Sequence, residues 1–259
     1  MVSTLPVAIQ AVKAGGSTLK RFFGKRLDLR MRDDESITSN ANILSEKKML
    51  EAIHRRFPDH SVLSTEAGAV ENDAYHKWLI DPLDETLWLS RGVPAFGCCV
   101  AFERRSVLES AAILFPMTGD VFSAERGRGA RWNKKKMRVS KIPDLEHALV
   151  YFDDFRSFIR RNHVPQLELL IKRSERAVSA PGKLAGLMAI ARGEADLMVG
   201  SKISPSTMAA ARLILSEAGG TVSDYSGKST HYLSNFIASN SLLHDTALSF
   251  FGRNNSLNL

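Results

Sequence analysis

Apolar residues along the first half of the chain recur first at a helical period and then in short runs. Ile9, Val12, Leu19, Phe22 and Phe23 predict a helix over residues 7–23, weakened where Gly15 and Gly16 interrupt it. Leu50, Ile53 and Phe57 stand at i, i+3 and i+7. Glu46, Lys47, Lys48, Arg55 and Arg56 supply the polar face of that second helix, and Pro58 stops it. Apolar runs at residues 61–63, 78–80, 97–102 and 111–115 have the lengths and flanking turn residues of strands. Thr118, Gly119 and Asp120 turn the last of them into a further strand at 121–124.

After residue 143 the pattern starts again. A strand is expected at 148–152, a helix at 164–171, and a helix at 183–192 that Gly193 closes in the C-cap role. A buried strand follows at 195–199, then a helix at 206–218 ended by Gly219 and Gly220, and a strand at 221–223. Apolar segments at 236–238 and 242–250 finish the chain, which has no internal repeat and no low-complexity segment. The expected architecture is α/β. An N-terminal α+β half, residues 1–143, joins a C-terminal α/β half, residues 144–259, in one compact unit.

The 259 residues are 44% hydrophobic and 24% charged, which argues against disorder, collagen or a coiled coil. No run approaches the ~18 apolar residues of a membrane span, and the N-terminus lacks the basic region of a signal peptide. Cys98 and Cys99 are neighbours in one expected strand and face opposite sides of it, so a reduced, cytoplasmic protein is expected. The net charge of +7 is concentrated at residues 20–32, 126–141 and 156–161. Such a field attracts phosphorylated metabolites, nucleic acid and acidic surfaces alike. No recognisable nucleic-acid signature accompanies it, which leaves RNA association through residues 126–141 as a third reading.

Candidate chemistry gathers where Trp78-Leu79-Ile80 runs into Asp81-Pro82-Leu83-Asp84-Glu85-Thr86. Pro82 biases Asp81 toward extended geometry and fixes the bend behind it. Two carboxylates just beyond a strand end suit a hard divalent cation, and N–H groups where Glu85 and Thr86 open a helix suit a phosphate. The same spacing also suits a helix cap at Asp84 and a tightened turn at Asp81, and spacing alone leaves both open. Arg126-Gly127-Arg128-Gly129 follows a hairpin strand and reads as a tight turn rather than a phosphate cradle. Seven scattered histidines give no zinc spacing, and no G-x-S-x-G elbow is present. Lys183, Lys202 and Lys228 read first as solvated surface and second as contacts to an anionic ligand.

The segment Trp78 to Thr86 resembles the W-[IV]-[IV]-D-P-[IL]-D-G-T signature of the inositol monophosphatase family, metal-dependent phosphomonoesterases of inositol, sugar, histidinol or nucleotide phosphates. Phe57-Pro58-Asp59-His60-Ser61-Val62-Leu63-Ser64-Thr65-Glu66 is similar to its Y-P-x-H-x-[IF]-[IL]-x-E-E segment. Gly119 to Ala130 resembles its G-x-[IVL]-[FY]-x-A-x-[RK]-G-x-G-A hairpin, with Arg138-Val139-Ser140 after it. Ser204-Pro205-Ser206-Thr207-Met208-Ala209-Ala210 is similar to S-P-W-D-x-A-A, with Glu217-Ala218-Gly219-Gly220 at the family's distance. The resemblance covers nearly the whole chain. It implies a layered αβαβα sandwich, a homodimer, Mg²⁺ as cofactor and a small phosphorylated metabolite as ligand.

Carried over by position, the family's carboxylates fall at 42, 65, 81, 84 and 207, where this chain has Asn42, Thr65, Asp81, Asp84 and Thr207. Five acids have become two. The signature's Gly has become Glu85, Ser206 replaces the tryptophan of S-P-W-D, and Gly200 stands where many relatives carry Glu, which disfavours inositol phosphate itself. Two divalent ions ~4 Å apart repel by roughly 17 kcal/mol at an effective dielectric of about 20, and two carboxylates are a thin counterweight. The resemblance assigns Asp81, the Leu83 carbonyl and Asp84 to metal, Asp84 and Thr86 to catalysis, and the Glu85 and Thr86 amides to phosphate. Glu66 is the candidate substitute ligand, although strand alternation after Thr65 points it to the opposite face; Glu85 is the other candidate. The expectation is a Mg²⁺-dependent phosphomonoesterase by descent, with a single weakly bound ion or none and with activity weak or lost. The alternative is an inactive pseudo-phosphatase that serves as a ligand- or protein-binding dimer.

Overall fold

A computed structural model of the chain describes residues 3–32 and 36–252. It begins with α1 (Leu5–Phe22), a strand pair β1 (Leu29–Met31) and β2 (Ile37–Ser39), and α2 (Asn40–His54). A run of strands follows: β3 (Ser61–Ser64), β4 (Gly68–Val70), β5 (His76–Asp84), then the one-turn α3 (Thr86–Ser90), β6 (Gly97–Arg104), β7 (Val107–Phe115), β8 (Asp120–Glu125), β9 (Ala130–Trp132) and β10 (Lys135–Lys136). The second half holds β11 (Leu149–Phe152), α4 (Phe155–Arg160), α5 (Val164–Arg173), β12 (Arg176–Ser179), α6 (Lys183–Ala191), β13 (Leu197–Ser201), α7 (Pro205–Glu217), β14 (Thr221–Ser223), β15 (Asn235–Ser239) and α8 (His244–Phe251).

Among the described residues the strands form an eight-stranded sheet, in the order β10-β9-β8-β7-β6-β5-β3-β4, and a five-stranded sheet, β12-β11-β13-β15-β14, besides the β1-β2 pair. Alternation along β5 and β6 sends neighbours into different cores. Trp78, Ile80 and Cys98 join Val12, Leu19 and Met49 under α1 and α2. Leu79 and Cys99 join Leu187, Met208 and Ile214 of α6 and α7, and that core continues to Met198 and Phe236 on the small sheet. Val150, Val199 and Ile237 on the far face pack with Phe158, Leu167 and Phe250 of α4, α5 and α8. The result is the αβαβα sandwich. Both cysteines are buried and unbridged, and no helix among the described residues is long and apolar enough to cross a membrane.

Three sequence expectations need correction. Helix α1 runs unbroken through Gly15 and Gly16, which are buried. A Cβ on Gly16 would sit 2.2 Å from Leu114 Cδ2, and one on Gly15 2.7 Å from Met49 Cγ. These glycines therefore let α1 lie close on the sheet and on α2 instead of weakening the helix. Helix α2 starts earlier than the apolar spacing suggests, at a Ser39 cap whose hydroxyl accepts from the Ala41 N–H, and it ends at His54, before Phe57. Glu46 is buried rather than part of the polar face. Its carboxylate accepts from the Ser64 hydroxyl and from the Ala67 N–H, which fixes the turn where β3 ends.

Candidate active site

Three chain ends meet at one side of the large sheet. Strand β3 stops at Ser64. Strand β5 loses register with β6 between Asp81 and Asp84, so the segment around Pro82 leaves the regular ladder. Helix α7 arrives with Pro205 in its first turn and Ser204 as N-cap, its hydroxyl accepting from the Thr207 N–H at 3.0 Å. Between them and α4 lies a cavity of about 780 Å³. Its walls carry Asn42, Thr65, Glu66, Asp81, Leu83, Asp84 and Thr207. The retained acids and all three substituted positions are thus together, while Thr86 and Glu85 stand off the wall.

Asp81 is buried and engaged on both carboxylate oxygens. Its Oδ2 accepts from the Thr207 hydroxyl and from Ser204 Oγ at 3.3 Å. Its Oδ1 accepts from the Leu83 N–H at 3.2 Å and from Thr65 Oγ1 at 3.5 Å. Burial pushes the Asp81 carboxyl above its ordinary range, against the pull of the Thr207 and Leu83 hydrogen bonds. Burial also drives Asp84 well up, with the neighbouring Glu85 and Asp81 charges adding to it. The backbone N–H groups of Leu184, beside Asp84, and of Lys183, beside Glu85, pull against that rise. Both carboxylates therefore face the start of α6.

Lys183 is not solvated surface, contrary to the sequence reading. Its Nζ lies 3.5 Å from Asp153 Oδ2. Burial works against its charge, but Asp153, Glu85 and Asp84 together outweigh that and hold its pKa above the usual value. Lys202 also lines the cavity, whereas Lys228 does not. Glu85 sits at φ 66° and ψ 53° as the N-cap of α3, a left-handed conformation that glycine adopts freely and Glu adopts at a strain of roughly 1 kcal/mol.

Glu66 points into the site. The argument from strand alternation fails because β3 has ended at Ser64 and residue 66 lies in the turn beyond it. Its carboxylate is paired with Arg32, and it accepts from Thr38 Oγ1 at 2.6 Å and from Asn42 Nδ2 at 3.0 Å. Arg32 also donates to the Thr65 carbonyl at 2.7 Å. Asn42 spends its oxygen on the Ser39 hydroxyl, at 2.7 Å, and turns its amide nitrogen to Glu66 and to Thr86 Oγ1 at 3.2 Å. Sequence reasoning missed Arg32, Ser39 and Glu46, whose partners lie across chain segments and follow no local spacing. Among the described residues no three His, Cys, Asp or Glu side chains are grouped to hold a metal ion.

The glycine-rich turn between β8 and β9 does cradle an anion, but an internal one: the Gly127 and Gly129 N–H groups each donate to the Glu217 carboxylate at 2.8 Å.

The sandwich, with the Asp81-Pro82-Leu83-Asp84 bend where β5 leaves its ladder, defines a layered α/β protein with an acidic site at a strand end. The chain belongs to the inositol monophosphatase family, whose model matches residues 1–253. It is 30% identical over 237 residues to Nus factor SuhB of Pseudomonas aeruginosa, covering 88% of this chain and 87% of that one. It is also 30% identical over 232 residues to histidinol-phosphatase of Chlorobaculum parvum, covering 88% of each. The crystal structure of extragenic suppressor protein SuhB from Bartonella henselae shares the fold with a TM-score of 0.90 at 24% identity, over 96% of this chain and 98% of that one. The chain is thus a homologue of the family's phosphomonoesterases, which are typically Mg²⁺-dependent and act on phosphorylated metabolites, and of SuhB.

Proposed function

We propose that this chain is a phosphomonoester-binding member of the family in which Mg²⁺-dependent hydrolysis is weak or lost. The observation that carries this is the state of Asp81. A carboxylate offers about four lone-pair sites, and protein donors face Asp81 on both oxygens: the Thr207 hydroxyl and the Leu83 N–H donate to it, with Ser204 Oγ at 3.3 Å and Thr65 Oγ1 at 3.5 Å beside them. A hard cation needs those lone pairs. The residues at positions 65 and 207 have not merely lost charge: their hydroxyls donate, and at position 42 it is the amide N–H₂ that faces the acids. Glu66, the candidate substitute ligand, is held by Arg32. The donor set does not fit a two- or three-ion Mg²⁺ cluster.

The test is turnover. Purified protein in millimolar Mg²⁺ is expected to hydrolyse a panel of sugar and inositol phosphates very slowly or not at all. Robust turnover that Asp84→Asn abolishes would overturn the reading and would assign Asp81, Leu83 and Asp84 to metal and Asp84 and Thr86 to catalysis after all.

A second reading, a homodimeric interaction protein, is favoured by the relative named Nus factor SuhB and by the exposed cations of the β9–β10 hairpin, Arg131, Lys134, Lys135 and Lys136. An acidic protein or RNA is the partner such a surface fits. Charge reversal at Lys134, Lys135 and Lys136 is expected to abolish such binding, and binding indifferent to it removes the hairpin from consideration. Both readings place the protein in the cytoplasm, supported by the two unbridged cysteines.

A further inference from the structure

The cavity that holds Asp81 is lined by five cationic side chains, Arg32, Arg156, Arg160, Lys183 and Lys202, against the carboxylates of Glu66, Asp81, Asp84 and Asp154. The carboxylates are already engaged by the protein. Asp81 accepts from Thr207 and Leu83, Glu66 accepts from Arg32, Thr38 and Asn42, Asp84 faces the Leu184 N–H, and Asp154 caps its own helix by accepting from the Arg156 N–H at 3.1 Å. The cations are not all so engaged. Arg32 is committed to Glu66 and Lys183 to Asp153, but no described residue accepts a hydrogen bond from the exposed Arg156 guanidinium. Arg156 and Arg160 stand four residues apart on α4, on the face turned to the cavity.

We infer that this cavity binds a phosphomonoester dianion through protein cations alone, with the Arg156 guanidinium as its principal contact and no divalent ion required. The inference deepens the proposed function and rests on it. Arg32 pairs with Glu66 and Lys183 with Asp153, and the five cations on the wall outnumber its four carboxylates. The wall then no longer repels an anion, and a planar guanidinium remains to grip phosphate oxygens in a paired geometry. The volume lies within the ~300–1,000 Å³ range of small-molecule sites. Inorganic phosphate and a phosphorylated metabolite share the recognised group.

The experiment is calorimetric titration of the full chain with inorganic phosphate and with glucose 6-phosphate, each in EDTA and in millimolar Mg²⁺. Binding in EDTA is expected to match binding in Mg²⁺ within about two-fold. Arg156→Gln is expected to weaken it about ten-fold, while Lys47→Gln on the exposed face of α2 leaves it unchanged. Tighter binding of the sugar ester names a metabolite as the ligand, and equal binding names phosphate itself; either supports the inference. Heat seen only with Mg²⁺, no binding at all, or indifference to Arg156→Gln overturns it. Metal-free binding alongside fast Mg²⁺-dependent turnover would end the proposed loss of hydrolysis and leave this inference standing. Absence of both binding and turnover would do the reverse.

Discussion

The Thr207 hydroxyl donates to Asp81 across 126 residues of sequence, joining the first turn of α7 to the end of β5. Where the family pattern places two acids to share a cation, this chain places a donor and an acceptor that satisfy each other. The bond is buried, and losing its donor leaves the Asp81 carboxylate short of a partner. Thr207→Val keeps the shape and removes the donor. It is expected to destabilise the protein by about 1–3 kcal/mol in urea denaturation. An unchanged midpoint would mean that Ser204, Leu83 and Thr65 suffice for Asp81.

If donors have replaced ligands, restoring the ligands should restore the metal. The variant Asn42→Asp, Thr65→Glu, Glu85→Gly, Thr207→Asp returns three carboxylates to the wall and relieves the left-handed backbone at residue 85. In EDTA it is expected to melt below wild type, because like charges crowd around a buried Asp81. Millimolar Mg²⁺ should then raise its Tm and leave that of the wild type unmoved. Calorimetry that records no Mg²⁺ affinity in this variant sinks the claim that positions 42, 65 and 207 are the cause.

The difference between what the motifs foretold and what the site contains has a physical pattern. The strand–bend–acid arrangement around Asp81 was legible because Pro82 and the apolar Trp78-Leu79-Ile80 act locally. The substitutions at 65 and 207 were legible as lost charge, but the direction of a hydroxyl's proton depends on what stands opposite, and Asp81 stands opposite both. Glu66 was judged by an alternation that holds only while a strand lasts, and β3 ends two residues before it. Glu46 looked solvated because its charge fits a polar face, yet its partners Ser64 and Ala67 come from another layer. Arg32 carried no signal beyond membership of a basic stretch. Its role is set by the turn after β3, which brings Glu66 and the Thr65 carbonyl to it.

Gly200 offers a third test, independent of charge. A Cβ there would lie 2.7 Å from Phe236 Cζ and 3.0 Å from Asp153 Cβ, and Phe236 is fully buried between the small sheet and α6 and α7. Restoring the Glu found in many relatives is therefore a packing problem before it is a specificity change. Gly200→Ala is expected to destabilise by about 1–3 kcal/mol through overpacking, and Gly200→Glu by more. Denaturation curves that superpose on wild type for both would show that the Phe236 ring yields readily.

The pair between β6 and the segment before β15 sets a pH dependence. His231 Nε2 and Glu103 Oε2 lie 3.6 Å apart, both buried, and neither has a hydrogen-bond partner among the described residues. Burial, with Arg212 and Lys77 adding positive charge, lowers the His231 pKa to about 4. Between that value and the ordinary ~6.5 the unfolded chain binds a proton that the folded chain refuses. This part of the stability is complete above the ordinary value and is lost as pH falls toward the lowered one. Glu103 acts in the opposite sense: burial raises its carboxyl against the pull of Lys77, so the folded chain takes that proton first and acid favours folding. Tyr232 lies tilted against the His231 ring and adds no charge in this range. His231→Gln deletes the first effect and keeps the second. Melting temperatures at about pH 7.5 and about pH 5 should therefore show a larger loss on acidification in wild type than in His231→Gln. Equal losses in the two proteins would mean that the imidazole is protonated in the folded state at the lower pH and that burial does not hold it neutral.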